Sequence, residues 1–163
     1  MAWPSVAIIV KRGFIVAALA PAVLITALPV APQAVAQRAQ TFEVRLAATP
    51  RDTAMREIIA GHGAVQATLV GRELTLMATF EGLKSPATQA RIHMGPATAV
   101  RGPAIHELEV SQSGLGMAGT ISGVVELGDG AVAALDAGHL YIQLDSEGAP
   151  DGNLWGWLLR EAR

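Results

Sequence analysis

The chain has 163 residues, no cysteine and a formal net charge of −2. That is about one domain's length, enough to bury a core without disulfides. The missing thiols exclude cysteine nucleophiles and thiolate metal sites, and without clustered positive charge there is no nucleic-acid footprint.

The first third differs from the rest. MAWPSVAIIVKRGFIVAALAPAVLITALPVAPQAVAQ places Lys11 and Arg12 before a long apolar run and ends on Ala34-Val35-Ala36, a small-x-small cleavage pattern. Residues 1–36 therefore read as a secretory signal peptide and 37–163 as the exported domain, periplasmic or extracellular. The competing reading is a retained anchor, since the run from Gly13 to Val30 is about long enough to begin spanning a bilayer. Pro21 and Pro29 interrupt that run.

From Thr41 the hydrophobic period is two. TFEVRLAA sets Phe42, Val44 and Leu46 against Glu43 and Arg45, the pattern of a half-buried strand. TPRDTAMREIIAGHG reads as a long connection ending at Gly61 and Gly63, with a helical turn as the alternative. AVQATLV and ELTLMATF come next as two strands joined at Gly71-Arg72. ARIHM puts Ala90, Ile92 and Met94 on one face, Arg91 and His93 on the other. AIHELEV and TISGVVEL are further strands, linked by the glycine-rich SQSGLGMAG. DGAVAALDAG suits one short helix. HLYIQLDS and NLWGWLL close the series across the turn-forming EGAPDG. Seven or eight short strands at regular spacing argue for a two-sheet sandwich or a closed barrel.

GLGMAG, residues 114 to 119, spells G-x-G-x-x-G. A dinucleotide site needs a helix N-terminus behind it. The segment behind it here is the β-branched TISGVVEL, so a glycine-rich hairpin is the better reading. Catalysis has little support. Ser85, Ser111, Ser113, Ser122 and Ser146 sit in turn-like or glycine-flanked segments with no G-x-S-x-G elbow, and Glu107 and Glu109 fit a solvated strand edge.

Two ordered stretches, GLKSPATQARIHMGPATAVRGPAIHEL and LGDGAVAALDAGHLYIQLDSEGAPDGNLWGWL, resemble the middle and the end of a CHRD domain. The Glu-Val-Pro-Pro segment usual after the family's first strand is replaced by RDTAMREIIA. The resemblance implies an all-β build similar to copper-zinc superoxide dismutase. Members occur as modules of extracellular chordin, which binds growth factors, and as single domains of exported bacterial proteins. It also implies that a family strand histidine falls on Arg91, a second on His93 and a later one on Asp145, while a Glu and an Arg of the closing strand fall on Asn153 and Trp155.

Four of those five polar positions are thus changed. Guanidinium offers no lone pair, and His93 with Asp145 is too small a ligand set for tight zinc or copper. His62, His106 and His139 read as structural or solvated residues. The pattern of change points instead to an Arg91–Asp145 ion pair on neighbouring strands, worth about 0–1 kcal/mol if exposed; the alternative is two unrelated surface charges. By alternation Arg91, His93, Tyr141, Asp145, Trp155 and Trp157 gather on one outward patch. The two tryptophans there are either a second small core under a loop or an exposed binding surface.

The expectation is an exported bacterial CHRD-like protein: an antiparallel, Greek-key-like β-sandwich of superoxide-dismutase-like or immunoglobulin-like build with one short helix. It binds or scaffolds and is not an enzyme, and those six residues are its candidate surface. No cofactor or metal is expected. The partner is a protein or envelope component, not nucleic acid, and the membrane only if the leader stays uncut. The competing class is a metal-binding or redox protein of superoxide-dismutase-like architecture.

Overall fold

A computed structural model describes residues 38–160, so the expected leader, residues 1–36, lies outside the described residues. The described elements are β1 (Gln40–Ala47), α1 (Thr53–Ile58), β2 (His62–Val70), β3 (Glu73–Glu81), β4 (Ala87–Met94), β5 (Ala104–Ser113), β6 (Ala118–Glu126), α2 (Asp129–Asp136), β7 (Leu140–Ser146) and β8 (Ala149–Trp157). No described helix is long and apolar enough to cross a membrane.

All the strand pairs are antiparallel, and the order is β1-β2-β3-β6-β5-β4-β7-β8, closed into a barrel. The all-β expectation holds. The sandwich is corrected to a closed barrel, because β1 pairs with β8 through Ala47 and Trp155. Closure depends on a missing side chain: a Cβ at Gly156 would run into Val44, Leu46 and the Arg45 carbonyl. Inward alternation looks the same in both architectures, so the strand pattern alone does not separate them. The β3 to β4 link passes over β5 and β6, and the later strands fill the gap, which is a Greek-key path.

Alternation builds the interior. β3 reads exposed and buried by turns from Glu73 to Glu81, with Leu74, Leu76, Ala78 and Phe80 inside. Phe42, Leu46, Val65, Leu69, Ile92, Ile121, Ile142 and Leu154 join them in the main core. Helix α2 adds Leu135 to that core. Gly71, at φ 63, makes the tight β2–β3 hairpin that a side chain would strain. GLGMAG is the β5–β6 hairpin, with Gly114 and Gly116 at positive φ and a strand rather than a helix behind it.

The expected single helix becomes two. The connection after β1 contains α1, whose first turn is capped by Asp52: its carboxylate accepts the Met55 N–H at 2.8 Å. His62, read as a loop residue, begins β2, where it pairs with Glu81 at 3.0 Å.

Candidate functional site

β7 departs from alternation, since all seven of its residues are buried. Leu140, Ile142 and Leu144 face the main core, and Tyr141, Gln143 and Asp145 face the opposite way. A second set of residues must therefore cover the outer face of β4, β7 and β8. Helix α1 and its flank supply Met55 and Ile59, which pack with Tyr141, Ala149 and Trp155 in a cluster separate from the main core. The β4–β5 loop, residues 95–103, covers the same face from the other side through Gly102 and Arg101.

Strand register orders this lateral face into rows. His93, Tyr141 and Trp157 are cross-strand partners on β4, β7 and β8. Their rings form a column: His93 stacks on Tyr141 at 4.9 Å between centroids, and Tyr141 meets Trp157 at 4.4 Å with a tilt of 40°. Arg91, Gln143 and Trp155 form the adjacent row. Asp145 sits at the bulge between Leu144 and Ser146, where the β7–β8 register shifts.

The polar atoms of these rows bond mainly to one another or to backbone. Asp145 takes the Arg91 guanidinium on one carboxylate oxygen and the Gln143 amide on the other, at 2.7 Å. The Gln143 amide oxygen then accepts the Trp155 indole N–H at 3.0 Å. The Tyr141 hydroxyl donates to the Gly102 carbonyl at 3.1 Å and accepts the Gly102 N–H at 3.2 Å. His93 Nδ1 also meets that carbonyl, at 2.9 Å. A carbonyl only accepts, so Nδ1 carries the proton and Nε2 carries the lone pair. Nε2 and the Arg91 Nε have no hydrogen-bond partner among the described residues. Asn153 fastens the cover by donating to the Ala60 carbonyl at 2.7 Å.

Electrostatics follow from this burial. The His93 pKa lies below its ordinary value, foremost because burial penalises the imidazolium. The Gly102 carbonyl opposes that shift, the Arg91 charge reinforces it, and Asp145 opposes it more weakly.

All six residues expected on one face are brought together there: Arg91, His93, Tyr141, Asp145, Trp155 and Trp157. The outward, exposed surface is corrected, and of the two alternatives for the tryptophans the second small core is the one observed. His93 is 8% exposed, Tyr141 1%, Asp145 2% and Trp155 7%, so the patch is a second, partly polar core rather than an open surface. The reason is local: the 48–61 connection and the 95–103 loop both fold back over it. The ion pair between Arg91 and Asp145 is present, with the Asp145 side chain 3% exposed and Arg91 26%.

Three participants escape sequence reasoning. Gly102 joins Tyr141 and His93 through its backbone, and a Cβ there would strike the Met94 carbonyl. Gly152, at φ 114, leaves room for the Trp155 indole. Arg101 lies over the Trp155 ring at 4.1 Å. The two Gly-Pro pairs around residues 95–103 are the signal that marks this loop as built rather than slack.

Among the described residues no group of three or more His, Asp or Glu could hold a metal ion. Of the three positions that the resemblance aligns with family histidines, Arg91 and Asp145 are tied to each other and only His93 keeps an imidazole, which is too small a donor set for a tight metal site. A separate cavity of about 570 Å³ opens on the outer face of β1–β3, lined among others by Arg45, His62, Thr79 and Glu81. Its His62–Glu81 pair is largely solvated, at 70% and 68% exposed.

The architecture defines a closed antiparallel Greek-key barrel with one lateral face sealed by a helix and a loop. A family model described as CHRD domain matches residues 34–158, and the chain belongs to that family. No curated protein and no solved structure matches it.

Proposed function

We propose that the chain is an exported, non-catalytic binding or scaffolding domain acting in the periplasm or outside the cell. Membership of the CHRD domain family supports this reading. The observation that carries it is how the chemically capable groups of the lateral face are engaged. Asp145 is held by Arg91 and Gln143, Gln143 by Trp155, and Tyr141 and the His93 Nδ1 by Gly102, while the His93 Nε2 is unpartnered but buried away from solvent. A general base or nucleophile must instead meet a substrate within hydrogen-bond reach. Here such groups hold the cover onto the barrel, which makes a rigid platform from which the loop 95–103 and the flank of α1 are displayed.

Metal analysis of the protein purified from its exporting host tests the reading. Less than about 0.1 equivalent of copper or zinc is expected, an amount too small for an occupied site. One equivalent of either metal, lost in His93→Ala, would replace this reading with a metal-binding or redox protein of superoxide-dismutase-like architecture. N-terminal sequencing of the same material is expected to begin after Ala36.

A further inference from the structure

The outer rim of the lateral face carries two arginines that the internal network leaves uncommitted. Arg101, half-buried, lies flat on Trp155 at 4.1 Å from the ring centre. That contact covers one face of the guanidinium and leaves its N–H edge free apart from a long 3.4 Å contact of Nη1 with the Asp151 carbonyl. Arg51, exposed just ahead of α1, directs Nε at the Met55 sulfur at 3.5 Å. Met55 packs in the same cluster as Trp155. The two guanidiniums are thus anchored on one small apolar cluster.

Like Arg38, Arg45 and Arg56, neither has an ion-pair partner among the described residues; Arg72, Arg91 and Arg160 each have a carboxylate within reach. Two of the nearby acids are otherwise engaged, and the Asp151 carboxylate makes no ion pair with Arg101. Asp52 caps α1 through Met55, and Asp145 is held between Arg91 and Gln143. The two cations share that cluster and act on each other, in a chain whose acidic residues outnumber its basic ones, 14 to 12. Burial foremost, and then the charge of Arg51, lowers the Arg101 pKa, so each cation raises the free energy of the other.

We propose that Arg51 and Arg101 together form a binding site for a carboxylate group. A guanidinium held flat by an indole is pre-organised, and its N–H fork matches the two oxygens of a planar carboxylate. An anion set between the two arginines relieves their mutual repulsion. A cation is repelled there. Asp145 and Asp151 act on Arg101 at longer range and weaken the positive field, which favours a single negative charge over a phosphate dianion. This inference names the ligand chemistry of the binding reading above and rests on it.

Because Arg101 touches Trp155, ligation changes the emission of that tryptophan. The purified full chain is titrated with a hexaglutamate peptide, with acetate and with inorganic phosphate, while tryptophan fluorescence is followed. A saturable change with carboxylates is expected, at least about tenfold weaker in Arg51→Gln and in Arg101→Gln, with phosphate binding weakest. Asp151→Asn, which removes a competing charge, is expected to tighten binding several-fold. Saturation by hexaglutamate well below the acetate concentration identifies the carboxylate as that of a polypeptide; equal concentrations identify a free small acid. Arg51 is exposed, so its variant keeps the fold, and an unchanged thermal midpoint checks this. No saturable response, a response that survives both arginine variants, or phosphate equal to the carboxylates would overturn the site. A cross-linked partner retained by Arg101→Gln would also overturn it while leaving the binding reading standing. One equivalent of copper or zinc, lost in His93→Ala, would remove that reading instead.

Discussion

Tyr141 concentrates the logic of the lateral face in one side chain. Its ring lies between His93 and Trp157, and its hydroxyl meets both polar groups of Gly102. Removing only that oxygen, in Tyr141→Phe, leaves the Gly102 N–H without this partner and is expected to cost about 1 kcal/mol in urea denaturation. His93 gives a pH signature. Its folded pKa is lowered from 6.5, so the unfolded chain takes the proton more readily than the folded one. The stability it contributes is therefore complete above about pH 6.5 and falls as pH drops through that value toward the folded pKa. Arg91, Arg101 and Asp145 are the charges that face it. His93→Gln is expected to flatten the slope of stability against pH in that window; an unchanged slope would assign it to other groups. At this scale the sequence was informative about pairing: histidine positions changed to Arg91 and Asp145 pointed to an ion pair. It left burial as one of two alternatives, because a strand pattern says which side chains share a face and not what lies over that face.

Two connections, rather than the strands, decide what the lateral face becomes. The 95–103 loop holds Ala99 at φ 63, a left-handed conformation that costs a residue bearing a Cβ. Ala99→Gly is expected to hold or raise stability by up to about 1 kcal/mol. Gly102→Ala, by contrast, drives a methyl at the Met94 carbonyl and is expected to cost about 1–3 kcal/mol. A thermal melt of each variant separates the two. On the opposite side, Asp52→Ala removes the α1 cap, with an expected loss of about 1 kcal/mol and a red-shifted tryptophan emission as the cover over Trp155 loosens. An unshifted spectrum would place α1 outside the packing of Trp155. Strands and hairpins were readable from period-two runs punctuated by glycine. Helix α1 was readable only as the alternative to a long connection: six residues with one buried position, Met55, carry too little periodicity to stand out from a loop.

Over the whole molecule, the all-β class and the family were readable because two long stretches match in order, and the CHRD domain match spans residues 34–158. Closure of the barrel was not. It rests on the β1–β8 contact at Ala47 and Trp155 and on the bare backbone of Gly156, both set by tertiary approach rather than by local pattern. The same seam joins the barrel to its rim, since Trp155 both closes the barrel and carries Arg101. The lateral face is thus a structural clasp across β4, β7 and β8, with Arg101 and Arg51, the arginines of the proposed carboxylate site, on its rim. The most direct measurement is a double-mutant cycle on Arg91→Ala and Asp145→Ala by urea unfolding. A clasp predicts a coupling of about 1–3 kcal/mol, above the 0–1 typical of an exposed pair. Single losses that add to the double loss within about 0.5 kcal/mol would contradict it.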